Sequence, residues 1–266
     1  MTGEIAIELH KDSQVRESIY GKRIRTSDLM LTGLIYGCAA ISIAILAGIM
    51  GYVFVRGIPY VTWSFLTTAS SATKGTVGIL GNIINTLYIV VITLLIATPL
   101  GVGAAIYLNE YAKPGRAVRI IEFTTETLSG IPSIIFGLFG MVFFGTTLNL
   151  GYSILTGALT LTLMTLPLIT RTTQEALKTV PDSYRHGALG IGATKWYMIR
   201  TILLPSAMPG IITGVILAIG RIVGESAALL FTAGSGYYLP KNLFSKVFES
   251  GGTLTIQLYL FMQKAK

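Results

Sequence analysis

Long apolar runs separated by short polar segments dominate the chain. A helix needs roughly 20 apolar residues to cross a bilayer. Charge-free stretches near that length mark five spans: Leu29 to Val55, Asn82 to Tyr107, Phe123 to Leu148, Tyr152 to Thr170 and Ala207 to Thr232. The apolar run after Glu126 is divided at Asn149-Leu150-Gly151, a turn-prone triplet. Pro99, followed by Gly101 and Gly103, predicts a bend in the second span. Gly130 and Pro132 break the third near its start, which either lines a ligand path or is a plain kink. Residues 1–28 carry Lys11, Arg16, Lys22, Arg23 and Arg25 without a sustained apolar stripe and read as a tail. The first apolar run is too long for a signal-peptide core, so it reads as a retained helix. The predicted fold class is all-α, a polytopic transmembrane helical bundle.

Composition agrees. The chain is 52% hydrophobic and 12% charged with mean hydropathy +0.68, against about 25% charged residues in soluble domains. The net charge of +8 does not point to nucleic acid, because the basic residues fall between apolar runs rather than on one amphipathic element. Their distribution orients the bundle. The tail is rich in Lys and Arg, the 56–81 loop holds only Arg56 and Lys74, and the next loop carries Lys113, Arg116 and Arg119. The turn at Asn149 has none, and the loop from Arg171 to Pro205 has Arg171, Lys178, Arg185, Lys195 and Arg200. The positive-inside rule then puts the N-terminus and the 171–205 loop in the cytoplasm. The tail after Tyr237 falls outside, an assignment that Lys241, Lys246, Lys264 and Lys266 weaken. Cys38 is the only cysteine, so there is no intrachain disulfide and no Cys-based metal cluster.

The fifth span contains Gly220-Arg221-Ile222-Val223-Gly224-Glu225, two charges in an apolar helix. Each central charge costs roughly 2.5 to 3.5 kcal/mol on insertion scales, which the apolar side chains of the span, at roughly 0.3 to 0.6 kcal/mol each, only just offset. At 100° per residue, Gly210, Gly214, Ala218, Arg221, Glu225, Ala228 and Thr232 share one stripe. Small residues let another helix approach and hide the charges inside the bundle or along a wet path. Two readings follow: an i,i+4 Arg221–Glu225 ion pair that joins helices, or an anion path in which the permanently charged guanidinium meets an oxyanion and Glu225 holds it when the path is empty. Arg171, at the end of the fourth span, is either a topology anchor that snorkels to headgroups or part of an exit mouth.

Between Arg171 and Pro205 the chain turns polar and reads as an exposed helix-turn-helix, with His186-Gly187-Ala188, three residues, Gly192, nine residues, and Ile202-Leu203-Leu204-Pro205. This spacing resembles the EAA loop of ATP-binding-cassette importer permeases, with His186 and Gly187 in place of the usual Glu-Ala. Four further stretches narrow the resemblance: Pro99 to Val102, Ala105 to Tyr111, Ser129 to Gly140 and Gly220 to Ala227. Together they resemble the phosphate permease family, PstA type, over residues 78–266. The resemblance implies a type I importer (MetI-like) permease fold with a cytoplasmic coupling helix, seated in the bacterial inner membrane. It implies inward movement of phosphate, a companion permease (PstC type), an ATPase dimer (PstB type) that binds ATP and Mg, an extracytoplasmic phosphate-binding protein (PstS type) and surrounding membrane lipids. Candidate ATPase-coupling residues are Glu175, Asp182, Arg185, His186, Gly187, Ala188 and Gly192; substrate-path candidates are Arg221, Glu225 and Arg171. Family members continue into one more membrane helix past the position of Lys266, where this sequence stops.

No catalytic site, metal site or cofactor is expected on the chain itself. There is no GxxxxGK[ST] loop, and Gly190 to Lys195 has the wrong spacing and context. HExxH and GxSxG are absent, and His10 and His186 lie far apart. Two alternatives share the pattern: a type I permease for sulfate or molybdate, and an ion-gradient secondary transporter with Arg221 and Glu225 as a relay.

Overall fold

The computed structural model describes residues 26–70, 76–236 and 245–264. The expected tail falls almost entirely outside them, as do Lys241 and Lys266. The chain divides into two compact units, Met1–Thr62 and Trp63–Lys266. The first unit contains one long helix, α1 (Thr26–Gly57), with no buried residue. An apolar helix exposed all round within its own unit needs lipid or protein around it. Cys38 lies on it, exposed.

In the second unit a short helix α2 (Trp63–Thr67) precedes α3 (Leu80–Ile106), which continues through a π-helical turn at Tyr107–Tyr111. Helix α3 runs unbroken through Pro99. The glycine beside it has another use: a Cβ on Gly101 would lie 2.8 Å from Ile169 Cγ2, so Gly101 admits a neighbouring helix, whereas Gly103 faces open space.

The stretch expected as one span, Phe123–Leu148, is instead two helices meeting at 100°. Helix α4 (Arg116–Ser129) is polar on one face and has no buried residue; α5 (Ser133–Gly140) continues as a π-helical segment to Thr147. Pro132, extended at φ −57° and ψ 138°, lacks an N–H to continue α4 and caps the start of α5. Asn149 and Gly151 both take positive φ, 55° and 59°, and make the expected turn.

Helix α6 (Ile154–Lys178) is the centre of the unit. Ser153 caps it, its side chain accepting from the Thr156 N–H at 3.1 Å. Three of its buried threonines satisfy their hydroxyls on the preceding turn: Thr160 to the Thr156 carbonyl, Thr162 to Ala158, Thr165 to Leu161, at 2.7–2.8 Å. Nearer its carboxyl end the buried Thr170 and Thr173 hydroxyls have no hydrogen-bond partner. α6 extends eight residues past Thr170. Residues 171–178 are thus membrane-helix continuation, and the polar loop proper starts at Thr179.

That loop holds α7 (Asp182–Gly190) and α8 (Lys195–Met198), which passes through a π-helical turn (Ile199–Leu203) into α9 (Leu204–Gly224). α9 stops at Gly224, not Thr232. Glu225 is extended (φ −78°, ψ 128°) and a separate short helix, α10 (Ala227–Thr232), follows. The expected tail also has structure: a 3₁₀ turn at Ser245–Phe248 with Lys246 buried, and helix α11 (Leu254–Lys264). The Thr255 hydroxyl donates to the Glu225 carbonyl at 2.7 Å, and the Leu254 N–H donates to Thr86 Oγ1 at 3.1 Å, tying α11 to the α9 break and to α3.

Two packed clusters organise the unit. One joins Ile89, Phe136, Leu161, Met164, Ile222 and Leu229 in the middle of the bundle. The other joins Leu177, Val180, Ala188, Met198, Leu203 and Ile211 where α6, α7, α8 and α9 converge. Among the described residues, four helices are long and apolar enough to span a membrane, or five if the bent pair counts as one span.

Gly137 marks a rigid approach: a Cβ there would lie 2.7 Å from the Ala228 Cα and 3.0 Å from its carbonyl oxygen. Gly137→Ala is expected to lower stability by about 1–3 kcal/mol, because backbone cannot move aside as a side chain can. Gly103→Ala, into open space, is expected to be neutral or to gain up to ~1 kcal/mol from helix propensity. Thermal unfolding of the two variants in detergent separates them.

Candidate functional site

The small-residue face of α9 docks on α6. A Cβ on Gly210 would lie 2.5 Å from Ala176 Cβ, and one on Gly214 would collide with Thr172 Oγ1. Ala218 is fully buried on the same face. The pairings 210–176 and 214–172 make the helices antiparallel, so Arg221 projects roughly 10 Å along the axis beyond the Thr172 level at 1.5 Å per residue. The half-buried Arg221 opens into a cleft of about 420 Å³ that it shares with Arg171, Glu126, Glu175, Ser129 and Pro167. The fold thus brings together the two arginines that the sequence singles out.

Their partners differ from expectation. No acid pairs with Arg221 among the described residues, and the Arg221–Glu225 ion pair does not form, because the helix ends between them. Glu225 instead caps α10, its Oε1 accepting from the Ala228 N–H at 3.1 Å. A carboxylate at a helix start compensates the unpaired N–H groups there. The acids act on Arg171: its Nη1 donates to Glu126 Oε1 at 3.2 Å and its Nε to Glu175 Oε1 at 3.4 Å. Both pairs are more than half exposed, so they add at most ~1 kcal/mol to stability. Their effect is local: two carboxylates each take one donor of the Arg171 guanidinium, while Arg221 has no such partner among the described residues. Glu175, expected to contact an ATPase, lies on α6 and faces this cleft. A smaller adjoining space of about 230 Å³ lies between α4 and the carboxyl end of α6, lined by Glu122, Glu126, Arg171, Gln174 and Lys178.

The polar hairpin is the second feature. α7 presents Tyr184, His186, Gly187, Leu189 and Gly190 outward, with Ile191 and Trp196 beyond them exposed as well. Ala188 points inward into the cluster at the foot of α6 and α9. Gly192 has φ +84°, and the bonds from its N–H to the Leu189 carbonyl and from the Ala193 N–H to the Ala188 carbonyl close α7. This glycine is required by its left-handed backbone rather than by space, since nothing lies within 4 Å of its missing Cβ. Asp182 is exposed at the first turn and bonds Arg185 Nη1 at 3.0 Å. Arg185 is turned inward rather than offered to a partner, only 16% exposed.

Sequence reasoning missed Glu126, Thr125 and Ser129, which α4 delivers to the cleft, and Glu110, which meets Arg185. Glu126 is the acid just ahead of the longest apolar run, and that position is its one visible signal.

A bent helical bundle with a buried central helix, a charged cleft and a protruding helical hairpin defines a polytopic permease. The family model described as binding-protein-dependent transport system inner membrane component matches residues 97–262. The chain belongs to that family, and it is a multi-pass membrane protein. It is 43% identical over 210 residues to the probable ABC transporter permease protein YqgI of Bacillus subtilis, covering 79% of this chain and 71% of that protein. It is 36% identical over 219 residues to the phosphate transport system permease protein PstA of Haemophilus influenzae, covering 82% and 77%. An inward-facing MetNI methionine ABC transporter shares the fold, with TM-score 0.52 at 17% identity over 70% of this chain and 88% of that one.

Gly192→Ala is expected to destabilise by about 1–2 kcal/mol, the penalty of a left-handed L-residue. Gly187→Ala, on the open face of α7, is expected to gain up to ~1 kcal/mol. Hydrogen exchange of the α7 amides reads both: faster in the first variant, slower in the second.

Proposed function

We propose that the chain is the permease subunit of an ATP-driven phosphate importer, and that phosphate passes the cleft lined by Arg221 and Arg171. The observation that carries this reading is Arg221, a guanidinium inside the bundle with no acid partner among the described residues, facing a space large enough for an ion and several waters. A permanent cation in a low-dielectric bundle is retained where it stabilises an anion that must shed water there, and its planar donors match two oxygens of a phosphate at once. Similarity to PstA proteins supplies the substrate, the PstC-type companion, the PstB-type ATPase that binds ATP and Mg, and the PstS-type binding protein.

The N-terminus and the α7–α8 hairpin lie in the cytoplasm under this reading, on the side rich in Lys and Arg. ATP binding closes the ATPase dimer, α7 passes the movement to α6 and α9, and the cleft exchanges its outward for its inward opening. Arg171, held by Glu126 and Glu175, sits nearer the hairpin than Arg221, so an inbound anion meets the free arginine first and the acid-buffered one last. The two carboxylates compete with phosphate for Arg171 and keep it from holding the ion. No bond is made or broken in the cargo, so the subunit needs no catalytic group of its own.

In vesicles containing the companion permease, ATPase and binding protein, Arg221→Gln is expected to abolish phosphate uptake while the assembled complex is recovered in normal yield. Normal uptake by normally assembled complex would overturn the role of Arg221. Competition identifies the cargo: excess arsenate, a phosphate analogue, is expected to suppress uptake, and suppression by sulfate or molybdate instead would reassign the substrate. Glu126→Gln is expected to change thermal stability by less than about 1 kcal/mol, as suits an exposed pair, while slowing release of the ion, seen as lower turnover with unchanged half-saturation.

A further inference from the structure

Arg185 makes the densest polar contact among the described residues, and anion transport leaves it without a task. Its Nε and Nη2 both reach Glu110 Oε1, at 3.2 and 3.1 Å. Its Nη2 also donates to the Leu177 carbonyl at 2.9 Å, and its Nη1 to the Val180 carbonyl at 2.9 Å and to Asp182 at 3.0 Å. Glu110 is 5% exposed and accepts a further bond from Asn109 Nδ2 at 2.7 Å. One guanidinium therefore joins three elements: α7, on which it sits, the carboxyl end of α6, and the π-helical turn that ends α3.

We infer that the Glu110–Arg185 pair is the positioning link that makes α7 move as one body with α3 and α6, so that displacement of the hairpin becomes displacement of the helices around the cleft. The apolar cluster beneath the hairpin can slide, because hydrophobic contact is non-directional. A buried pair with several directed bonds cannot slide without leaving a charge unpaired in a dry place, so it fixes the register of the hairpin against both helices. The contacts divide the labour. Leu177 and Val180 belong to the chain leading directly into α7, so their bonds stiffen the elbow. Glu110 lies 75 residues from Arg185 in sequence, so this directed bond carries motion across to α3, beside the Lys195 ammonium over the Tyr111 ring and the apolar packing of Val102 and Ile106. The π-helical turn at Tyr107–Tyr111 aims Glu110: the wider turn re-aims side chains at the foot of α3, and its one buried apolar residue, Leu108, anchors it.

The inference rests on α7 being the docking element of the ATPase, and its test keeps the two apart. The reconstituted importer is assayed for ATP hydrolysis and for uptake of whichever ion the unmodified complex moves, giving ions imported per ATP. Hydrolysis by the unmodified complex that does not respond to the binding protein would defeat the docking reading itself. Given a responsive complex, Glu110→Gln, which keeps shape and removes charge, is expected to assemble, to hydrolyse ATP and to import at least ten-fold fewer ions per ATP. Arg185→Lys, which keeps charge and removes the fork, is expected to do the same. The double variant is expected to be no worse than the weaker single, as for one shared contact. A ratio within two-fold of the unmodified complex, or additive losses, overturns the link. Failure of both conservative variants to assemble makes the pair a folding element and overturns it equally.

Discussion

The close seating of α9 on α6 is the constraint on which the rest depends. Gly210 and Gly214 leave no side chain between the helices, so the helices approach until backbone meets Ala176 and Thr172. Lipid offers no hydrophobic drive for helices to associate, and close van der Waals packing of small residues takes its place. That packing fixes the antiparallel register, and the register sets Arg221 and Arg171 along one cleft. A larger residue at either glycine would separate the helices and with them the two guanidinium groups. The 100° turn between α4 and α5 completes the cleft by laying Glu126 alongside Arg171.

The polar residues inside this bundle follow one rule: each charge is either tied or placed where a charged ligand can reach it. Glu225 is tied to the start of α10, Arg171 to two acids, Arg185 to two acids and two carbonyls. Arg221 has no acid partner among the described residues, and under the proposed function it is the charge left for a ligand. The same rule separates the two ends of the molecule, since bonds at the hairpin are many and buried while those in the cleft are few and wet. Under the proposed function, this gives rigidity where force enters and loose pairing where an ion must leave.

Much of this was legible in the sequence because membrane helices announce themselves by length and by missing charge. The turn at Asn149–Gly151 followed from residue type, and the exposed helical hairpin from the polar stretch between apolar runs; that Ala188 turns inward and Gly192 takes a left-handed backbone did not. The small-residue face of α9 was legible from its 100° periodicity as far as Ala218. Beyond it the pattern misled, because Glu225 and Ala228 fit the same stripe while the helix stops at Gly224. Nothing in Gly-Glu-Ser forbids a continuous helix; the break is held by the local Ala228 amide on the Glu225 carboxylate and by the Thr255 hydroxyl on the Glu225 carbonyl, which only tertiary structure brings near. Hydropathy likewise merged α4 with α5, since the sum over both is apolar although α4 is amphipathic. Glu110 and Glu126 were invisible as partners because an ion pair across 75 or 45 residues leaves no periodic trace.

The central claim is that the two-arginine cleft opens to opposite sides of the membrane as the ATPase cycles. Thiol labelling tests it directly, with Cys38 first replaced by Ser and Ser129→Cys introduced on the cleft wall. In the assembled importer, a membrane-impermeant maleimide applied from the hairpin side should modify that thiol without nucleotide and lose access when the ATPase is trapped closed. Access should then pass to the opposite face. Equal labelling in both states, or labelling from one face throughout, would contradict the account.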